Sequence, residues 1–576
     1  MNLFSDYQKK ILTLLKKLDK KNIIKLPKDL KGLTVELPPK TYDADMSCNA
    51  SMILARINEK SPLEFADILK RYLLDDFDEF ETINIAKPGF ININFKSDFW
   101  REHLLSIIEL GSSYGSNTTI KKKRYNIEFV SANPTGPLHV GHCRGAIIGD
   151  ALSNLLKFNK NKVVKEYYVN DYGNQIDNFV LSVYHRILEI YKNKKFPEDM
   201  NLYPGDYIIE IAKRIIKNKS IKNFDNFEKI QKKLSKESLK FSVKMIKDNL
   251  NQLGVKHDNF VYESQLIKNK SVLKTIKKLQ KQKYIYEGKL SAPKGESIKD
   301  WTDRKQLLFK SSEFGDDVDR PLQKADESWT YFASDIAYHA NKIERNFQML
   351  INILGADHSG YTKRISAAVA AISKNKINLI CKVSQLVKLF KNGEPFKMSK
   401  RKGDYITVND LINEVGKDSV RFMMLNRSND VELDFDFKKV TEKSKDNPVF
   451  YVQYAYARIN SIFRTLNLNL NKKIYLSNDS FFINKHEVEI LKKISEWPKC
   501  VEVSSSKLEP HRIPFYLYDL VTLFHSYWNL GSENKEFRFV HENKIVNTSR
   551  MILLQALAIV IKNGMNILGV STPESM

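Results

Sequence analysis

Tyr125-Asn-Ile-Glu-Phe-Val130 runs into Ser131-Ala-Asn-Pro-Thr-Gly-Pro-Leu-His139-Val-Gly141-His142 and on into Cys143-Arg-Gly-Ala-Ile-Ile-Gly-Asp-Ala-Leu-Ser-Asn-Leu-Leu156. The first stretch alternates as a half-buried strand does, and the last carries the apolar stripe of an amphipathic helix. A strand, a Gly/Pro turn and a helix N-terminus form a natural phosphate cradle, because unpaired N–H groups and the helix dipole face the anion. Gly141 lets an adenine ring approach the backbone, and His139 and His142 are placed to donate to phosphoryl oxygens. The competing reading, a metal pair or a structural cap, lacks a third Cys, His or Glu ligand at suitable spacing, so no protein-held metal is expected. The rhythm is that of an α/β domain.

Around this stretch lie 576 residues, too many for one hydrophobic core, so several domains are expected. With 42% apolar, 28% charged and 11% aromatic residues, a mostly disordered chain is excluded. The 93 Lys+Arg against 68 Asp+Glu leave +25, which points to a polyanionic partner, although part of the excess reflects a chain rich in Lys, Asn and Ile. Cys48, Cys143, Cys381 and Cys500 form no CxxC pair. That excludes a thiolate zinc ribbon and a disulfide scaffold and suits a reducing compartment. Near the N-terminus Leu3, Tyr7, Ile11, Leu14, Leu15 and Leu18 keep helical spacing, interrupted by lysines as no signal peptide is. The longest apolar run, Met551 to Ile561, is short and broken by Gln555, so no membrane span is expected. These features predict a soluble, cytoplasmic protein.

Residues 1–118 read as a separate module of helices, Pro-punctuated loops and the strand-like Gly89-Phe90-Ile91-Asn92-Ile93-Asn94-Phe95, ended by a Gly/Ser linker and Lys121-Lys-Lys-Arg124. The α/β pattern occupies 119–390, with a Lys-rich helical insertion near 185–300. A loop and connecting helical region follow over 391–445, and 446–576 are helical in period.

The loop carries a second signature, Phe396-Lys397-Met398-Ser399-Lys400-Arg401-Lys402-Gly403. Two lysines bracket a small hydroxyl residue in a basic, Gly-ended loop, which can fold over a triphosphate and place ammonium groups on its phosphates. Alone it reads equally as a solvated basic loop or a nuclear-type signal. Paired with His139-Val-Gly-His142, it resembles the second of the two ATP signatures, HIGH and KMSK, of class I aminoacyl-tRNA synthetases.

The amino acid to be activated should face its chemical complement. A guanidinium offers a rigid fork of donors, so its site needs carboxylates. Glu128 sits near the end of the strand and Asn133 in the turn. In Trp329-Thr-Tyr331-Phe-Ala-Ser-Asp335-Ile-Ala-Tyr338-His339-Ala-Asn-Lys342, helical spacing puts Tyr331 and Asp335 on one face. Singly each acid has an ordinary reading: Glu128 as a turn cap, Asp335 as the partner of Lys342 or another cation.

Those stretches, with Glu166-Tyr-Tyr-Val-Asn-Asp-Tyr-Gly-Asn-Gln-Ile176, Tyr203-Pro-Gly-Asp-Tyr207, Gly355-Ala-Asp-His-Ser-Gly-Tyr361 and Asn447-Pro-Val-Phe-Tyr-Val-Gln-Tyr-Ala-Tyr-Ala-Arg458, together resemble bacterial arginyl-tRNA synthetases over the whole chain. The resemblance implies a multidomain α/β protein. It would have a Rossmann-like nucleotide-binding catalytic domain, an N-terminal α+β domain touching tRNA and a C-terminal all-α anticodon-binding bundle. It implies that Glu128, Ser131, Asn133, Tyr331 and Asp335 hold L-arginine. Pro137, His139, Gly141 and His142 would hold ATP, and Lys397, Met398, Ser399 and Lys400 its phosphates. His139, His142, Lys397 and Lys400 would be the catalytic set. Phe90, Asn92, Tyr451, Tyr454 and Arg458 would touch tRNA(Arg); from the residues alone, the aromatic stripe of Tyr451 and Tyr454 reads equally as core. Mg²⁺ would enter with ATP, the first step would need bound tRNA, and the chain would be a monomer. The family pattern has a glycine where Glu327 stands. Two alternatives fit less well. A synthetase for cysteine would resemble its family in a thiolate zinc site, and one for glutamate should present cations in place of Glu128 and Asp335. A non-catalytic RNA-binding protein on the same scaffold would not need both ATP signatures.

Overall fold

A computed structural model of the chain describes residues 2–39, 41–117, 121–289, 305–396, 406–474, 483–542 and 544–576. Two compact units emerge: one of residues 121–442 with 568–570, the other of 1–120, 443–567 and 571–576.

The first unit is built on a five-stranded parallel sheet. Strand β1 (Arg124–Phe129) leads through the Gly/Pro turn into helix α1 (Val140–Phe158), and β2 (Lys162–Val169) follows. Helices α2 (Asn174–Lys192), α3 (Asp206–Lys217) and α4 (Phe227–Gln252) pack on one another before the chain returns as β3 (Asn259–Tyr262) and the short α5 (Glu263–Lys268). After a three-stranded antiparallel sheet come α6 (Tyr331–Glu344), β4 (Met349–Gly355), α7 (Thr362–Ser373) and β5 (Asn378–Ser384). The sheet order is β5-β4-β1-β2-β3 with every pair parallel. The chain therefore winds outward from β1 in both directions, and the crevice between the carboxyl ends of β1 and β4 is the topological switch point where such sheets bind ligands.

Two expectations change. The alternation of β1 predicts one wet face, yet Asn126, Ile127, Glu128 and Phe129 are all buried, because a central parallel strand is covered on both sides. The stretch 185–300 is mostly helical but not wholly so: β3 belongs to the main sheet and Ile285–Gly288 to the antiparallel one, with helices Glu263–Lys268 and Ser271–Lys281 between them. Close packing of α1 on β1 needs Gly149, where a Cβ would stand 2.3 Å from the Phe129 ring.

In the second unit a four-stranded antiparallel sheet and its helices pack against the C-terminal helical bundle. His103 bonds Ser495 at 2.8 Å, the Trp497 indole donates to Tyr114 O at 3.0 Å, and Lys492 pairs with Asp45 at 2.7 Å, all buried. Helix Thr548–Leu568 is long and apolar enough to cross a membrane, but 83% of its most apolar window is buried in the protein. The Gln555 amide donates there to Leu470 O and Lys472 O.

Candidate active site

The turn after β1 is held in an unusual backbone state. Val130 and Ser131 have φ of +70° and +42°. For a β-branched residue this is a true outlier, costing on the order of 1–3 kcal/mol and kept only where the surroundings over-determine it. They do so here. Ser131 Oγ donates to Glu128 at 3.0 Å and accepts from Tyr168 N at 3.0 Å. The hydroxyls of Tyr167, Ser242 and Tyr207 donate to the carbonyls of Ala132, Pro134 and Thr135 at 2.8, 2.7 and 2.9 Å. Asn249 accepts from Leu138 N at 3.1 Å. Sequence reasoning gave Tyr167, Ser242, Tyr207 and Asn249 no role, although Tyr167 and Tyr207 lie in stretches it quoted.

His139 caps α1. Gly141 N–H donates to His139 Nδ1 at 3.1 Å, and His139 N–H donates to His142 Nδ1 at 3.3 Å. With each Nδ1 accepting, the ring proton sits on Nε2. Burial pushes both imidazoles down, His142 to about 4, aided by the neighbouring His139 ring 3.9 Å away. Both are therefore neutral Nε2–H donors at pH 7. Gly141 is exposed beside them, and Pro137 is half-buried. Lys397, Met398, Ser399 and Lys400 lie outside the described residues. The chain just beyond them is fixed to this turn: Val140 N donates to Ile406 O at 2.9 Å and Val408 N to Leu138 O at 3.0 Å. The chain from Ile406 to Val408 is thus tied to the His139 turn.

Register aligns Glu128 with Asn352 on β4 and Glu166 on β2, one row beneath α6. The fully buried Lys342 donates to Glu128 at 2.5 Å and to Asn352 at 3.1 Å, so it partners Glu128 and not Asp335. Glu166 takes both Arg345 nitrogens at 2.5 and 2.8 Å and the Tyr338 hydroxyl at 2.9 Å. Burial would raise its carboxyl, but Arg345 and the field of Lys342 hold it down to about 2. Among the described residues Asp335 has no such ion pair. It accepts from the Tyr361 hydroxyl at 2.5 Å, and burial, with the charges of Glu128 and Glu263, pushes it up to about 7. Tyr331 stands on the same helix face at its first turn but is 59% exposed, at the mouth. Asn133 is exposed and donates to Gln175 at 2.6 Å. The arrangement gathers the carboxylates of Glu128, Glu166 and Asp335 next to the turn that follows β1. Among the described residues no group of three or more His, Cys, Asp or Glu has metal-holding geometry.

Glu327 has φ of +61°. The left-handed turn that glycine favours is present, with glutamate in it.

In the other unit Phe90 is part-exposed and Asn92 buried, its Oδ1 without a hydrogen-bond partner; both line a cleft of about 910 Å³ shared with Tyr42, Lys485, Glu489 and Lys492. On helix Pro448–Thr465, Tyr451, Tyr454 and Arg458 are half-buried. The Arg458 guanidinium lies 4.3 Å from the Tyr454 ring and 4.8 Å from that of Trp528 and reaches His525 at 3.1 Å.

Three family models match: the arginyl tRNA synthetase N terminal domain over residues 5–95, the catalytic domain of tRNA synthetases class I (R) over 103–464, and the DALR anticodon binding domain over 452–576. Sheet, turn and matches define a class I aminoacyl-tRNA synthetase. The chain is 56% identical over 577 residues to the arginine–tRNA ligase of Pelagibacter ubique (strain HTCC1062) and 43% identical over 585 residues to that of Rhizobium etli (strain CIAT 652), with 100% of each chain covered. Its fold matches Thermus thermophilus arginyl-tRNA synthetase with a TM-score of 0.73 at 18% identity, again over 100% of both chains. The chain belongs to the arginyl-tRNA synthetase family and is an arginine–tRNA ligase.

Proposed function

We propose that the switch-point pocket activates L-arginine and passes it to tRNA(Arg) as follows. Glu128 and Asp335 receive the guanidinium, Tyr331 walls it at the mouth, and Ser131 and Asn133 hold the α-amino and carboxyl end. ATP lies along Pro137, His139, Gly141 and His142. The arginine carboxylate attacks the α-phosphorus, arginyl-adenylate forms and pyrophosphate leaves. Charge developing on phosphoryl oxygens meets the Nε2–H groups of His139 and His142, and Lys397 and Lys400, with Met398 and Ser399 between them, complete the cradle. One such preorganised donor is worth on the order of 10²–10³ in rate. A terminal ribose hydroxyl of tRNA then takes the arginyl group and AMP departs. No side-chain nucleophile is needed; positioning and electrostatics carry the barrier. Mg²⁺ binds through ATP phosphates, as its preference for phosphate oxygens and few protein ligands favours.

Phe90 and Asn92 contact tRNA in the N-terminal part, and Tyr451, Tyr454 and Arg458 in the bundle. The protein works as a cytoplasmic monomer with no membrane partner, and its activation step requires bound tRNA.

The observation that carries this reading is Asp335: a carboxylate with no ion pair among the described residues, lying with Glu128 close to the turn after β1, complements a guanidinium. Asp335→Asn should raise the arginine KM far more than the ATP KM in pyrophosphate exchange with tRNA present. A selective ATP defect would refute the assignment. Lys400→Ala should cut the activation rate and leave arginine binding nearly intact.

A further inference from the structure

Behind the pocket, at the carboxyl end of edge strand β3, lies a second acid that neither motif nor spacing marks. Glu263 is only 4% exposed. Its carboxylate accepts from the hydroxyls of Ser334 and Tyr168. With the Asn170 amide oriented nitrogen-inward, that group donates to Glu263 Oε2 at 2.8 Å and to Tyr172 O at 3.1 Å. No cation pairs with Glu263 among the described residues. Helix α6, strand β2 and the Asn170 amide just beyond it therefore converge on one carboxylate. Ser334 precedes Asp335 on α6, Tyr168 lies on β2 with its ring centroid 4.5 Å from that of Tyr338, and Tyr168 N also donates to Ser131 at the strained turn.

We propose that Glu263 is a positioning and specificity-determining residue for arginine. It fixes Ser334 and Tyr168, and through them Asp335, and its buried charge makes the pocket one that only a cationic side chain neutralises. A neutral amino acid of similar length would leave Asp335 and Glu263 buried together uncompensated, which rejects it. This inference rests on the reading that Asp335 receives the guanidinium.

The electrostatics give a readout that a purely structural role would not move. Asp335 faces Glu128 from β1, Tyr168 from β2, Glu263 from α5, Lys342 from its own helix and Tyr361, itself beneath Arg364. Burial is the main cause that raises Asp335, and the charge of Glu263 adds to it. Protonated Asp335 cannot pair with a cation, so the arginine KM should climb as pH falls through about 7. Removing the charge of Glu263 lowers that inflection while weakening the attraction for arginine at high pH.

The experiment measures the arginine KM from pH 5.5 to 8.5 with tRNA and ATP saturating, in the parent, Glu263→Gln, Glu263→Asp and Asp335→Asn. Glu263→Gln should move the inflection down by about one pH unit and raise the limiting KM at pH 8.5 about tenfold, with the ATP KM unchanged. Glu263→Asp, which keeps the charge, should return the inflection towards the parent value. If the parent shows the inflection, Asp335→Asn abolishes it and Glu263→Gln leaves it in place, Glu263 is not coupled to Asp335 and the proposal falls. If Asp335→Asn itself leaves the arginine KM unchanged, the underlying assignment of the pocket fails, and the role of Glu263 falls with it.

Discussion

Asp335→Asn should make the protein more stable while disabling it. In the unfolded chain this carboxyl titrates near 3.8, and in the folded protein near 7. A carboxyl raised on folding makes the folded state bind more protons, so stability is lost as pH rises from 3.8 through 7 and the loss then levels off. Each unit is worth about 1.4 kcal/mol, so the ceiling is about 4 kcal/mol at pH 8 and about 1.5 kcal/mol at pH 5. Because the side chain is part-exposed, solvent screening brings the expected value at pH 8 to roughly 2–4 kcal/mol. Asparagine fills the same space, still accepts from Tyr361 and carries no charge. Urea unfolding of the parent and the variant at pH 5, 6, 7 and 8 should show Asp335→Asn ahead by a margin that widens with pH. Saturating arginine should close the gap by stabilising the parent alone. A margin independent of pH, or a variant less stable than the parent at pH 8, would refute the electrostatic reasoning.

Glu327→Gly should stabilise the protein by about 0.5–1 kcal/mol with aminoacylation unchanged, because relief of the left-handed φ outweighs the added chain entropy; a thermal melt measures it. Lys342→Met leaves Glu128 buried without its cation and should cost about 3–5 kcal/mol in urea unfolding, a loss that adding Glu128→Gln should partly restore. Tyr207→Phe removes one hydrogen bond to the turn, worth about 1 kcal/mol, and should raise the ATP KM about fivefold in pyrophosphate exchange while the arginine KM stays within twofold.

Local chemistry made much of the site readable. The strand, turn and helix around His139 follow from Gly and Pro placement and from apolar period, and the helical spacing of Tyr331 and Asp335 holds in α6. Partnerships across the sheet were not readable. Lys342 neutralises Glu128 from 214 positions away, a pairing fixed by register and not by spacing on the helix. The burial of both faces of β1 depends on the helices laid over it, α1 against Phe129 and α6 over Glu128, which the β1 segment does not encode. Glu263 follows a short edge strand within a stretch that reads as helical and lysine-rich, so nothing local distinguishes it.

That residues 1–120 and 443–567 form one compact unit has a consequence for synthesis. The N-terminal segment leaves the ribosome first, yet the groups that complete its interior, Ser495, Trp497 and Lys492, are among the last to appear. The intervening unit of 121–442 has nearly all its own contacts available much earlier. Nascent chains should therefore gain a closed catalytic unit while the N-terminal segment waits without the Trp497 bond to Tyr114 and without the Lys492 cation for Asp45. An arrested chain ending near residue 480 should be digested by protease at its beginning before its middle.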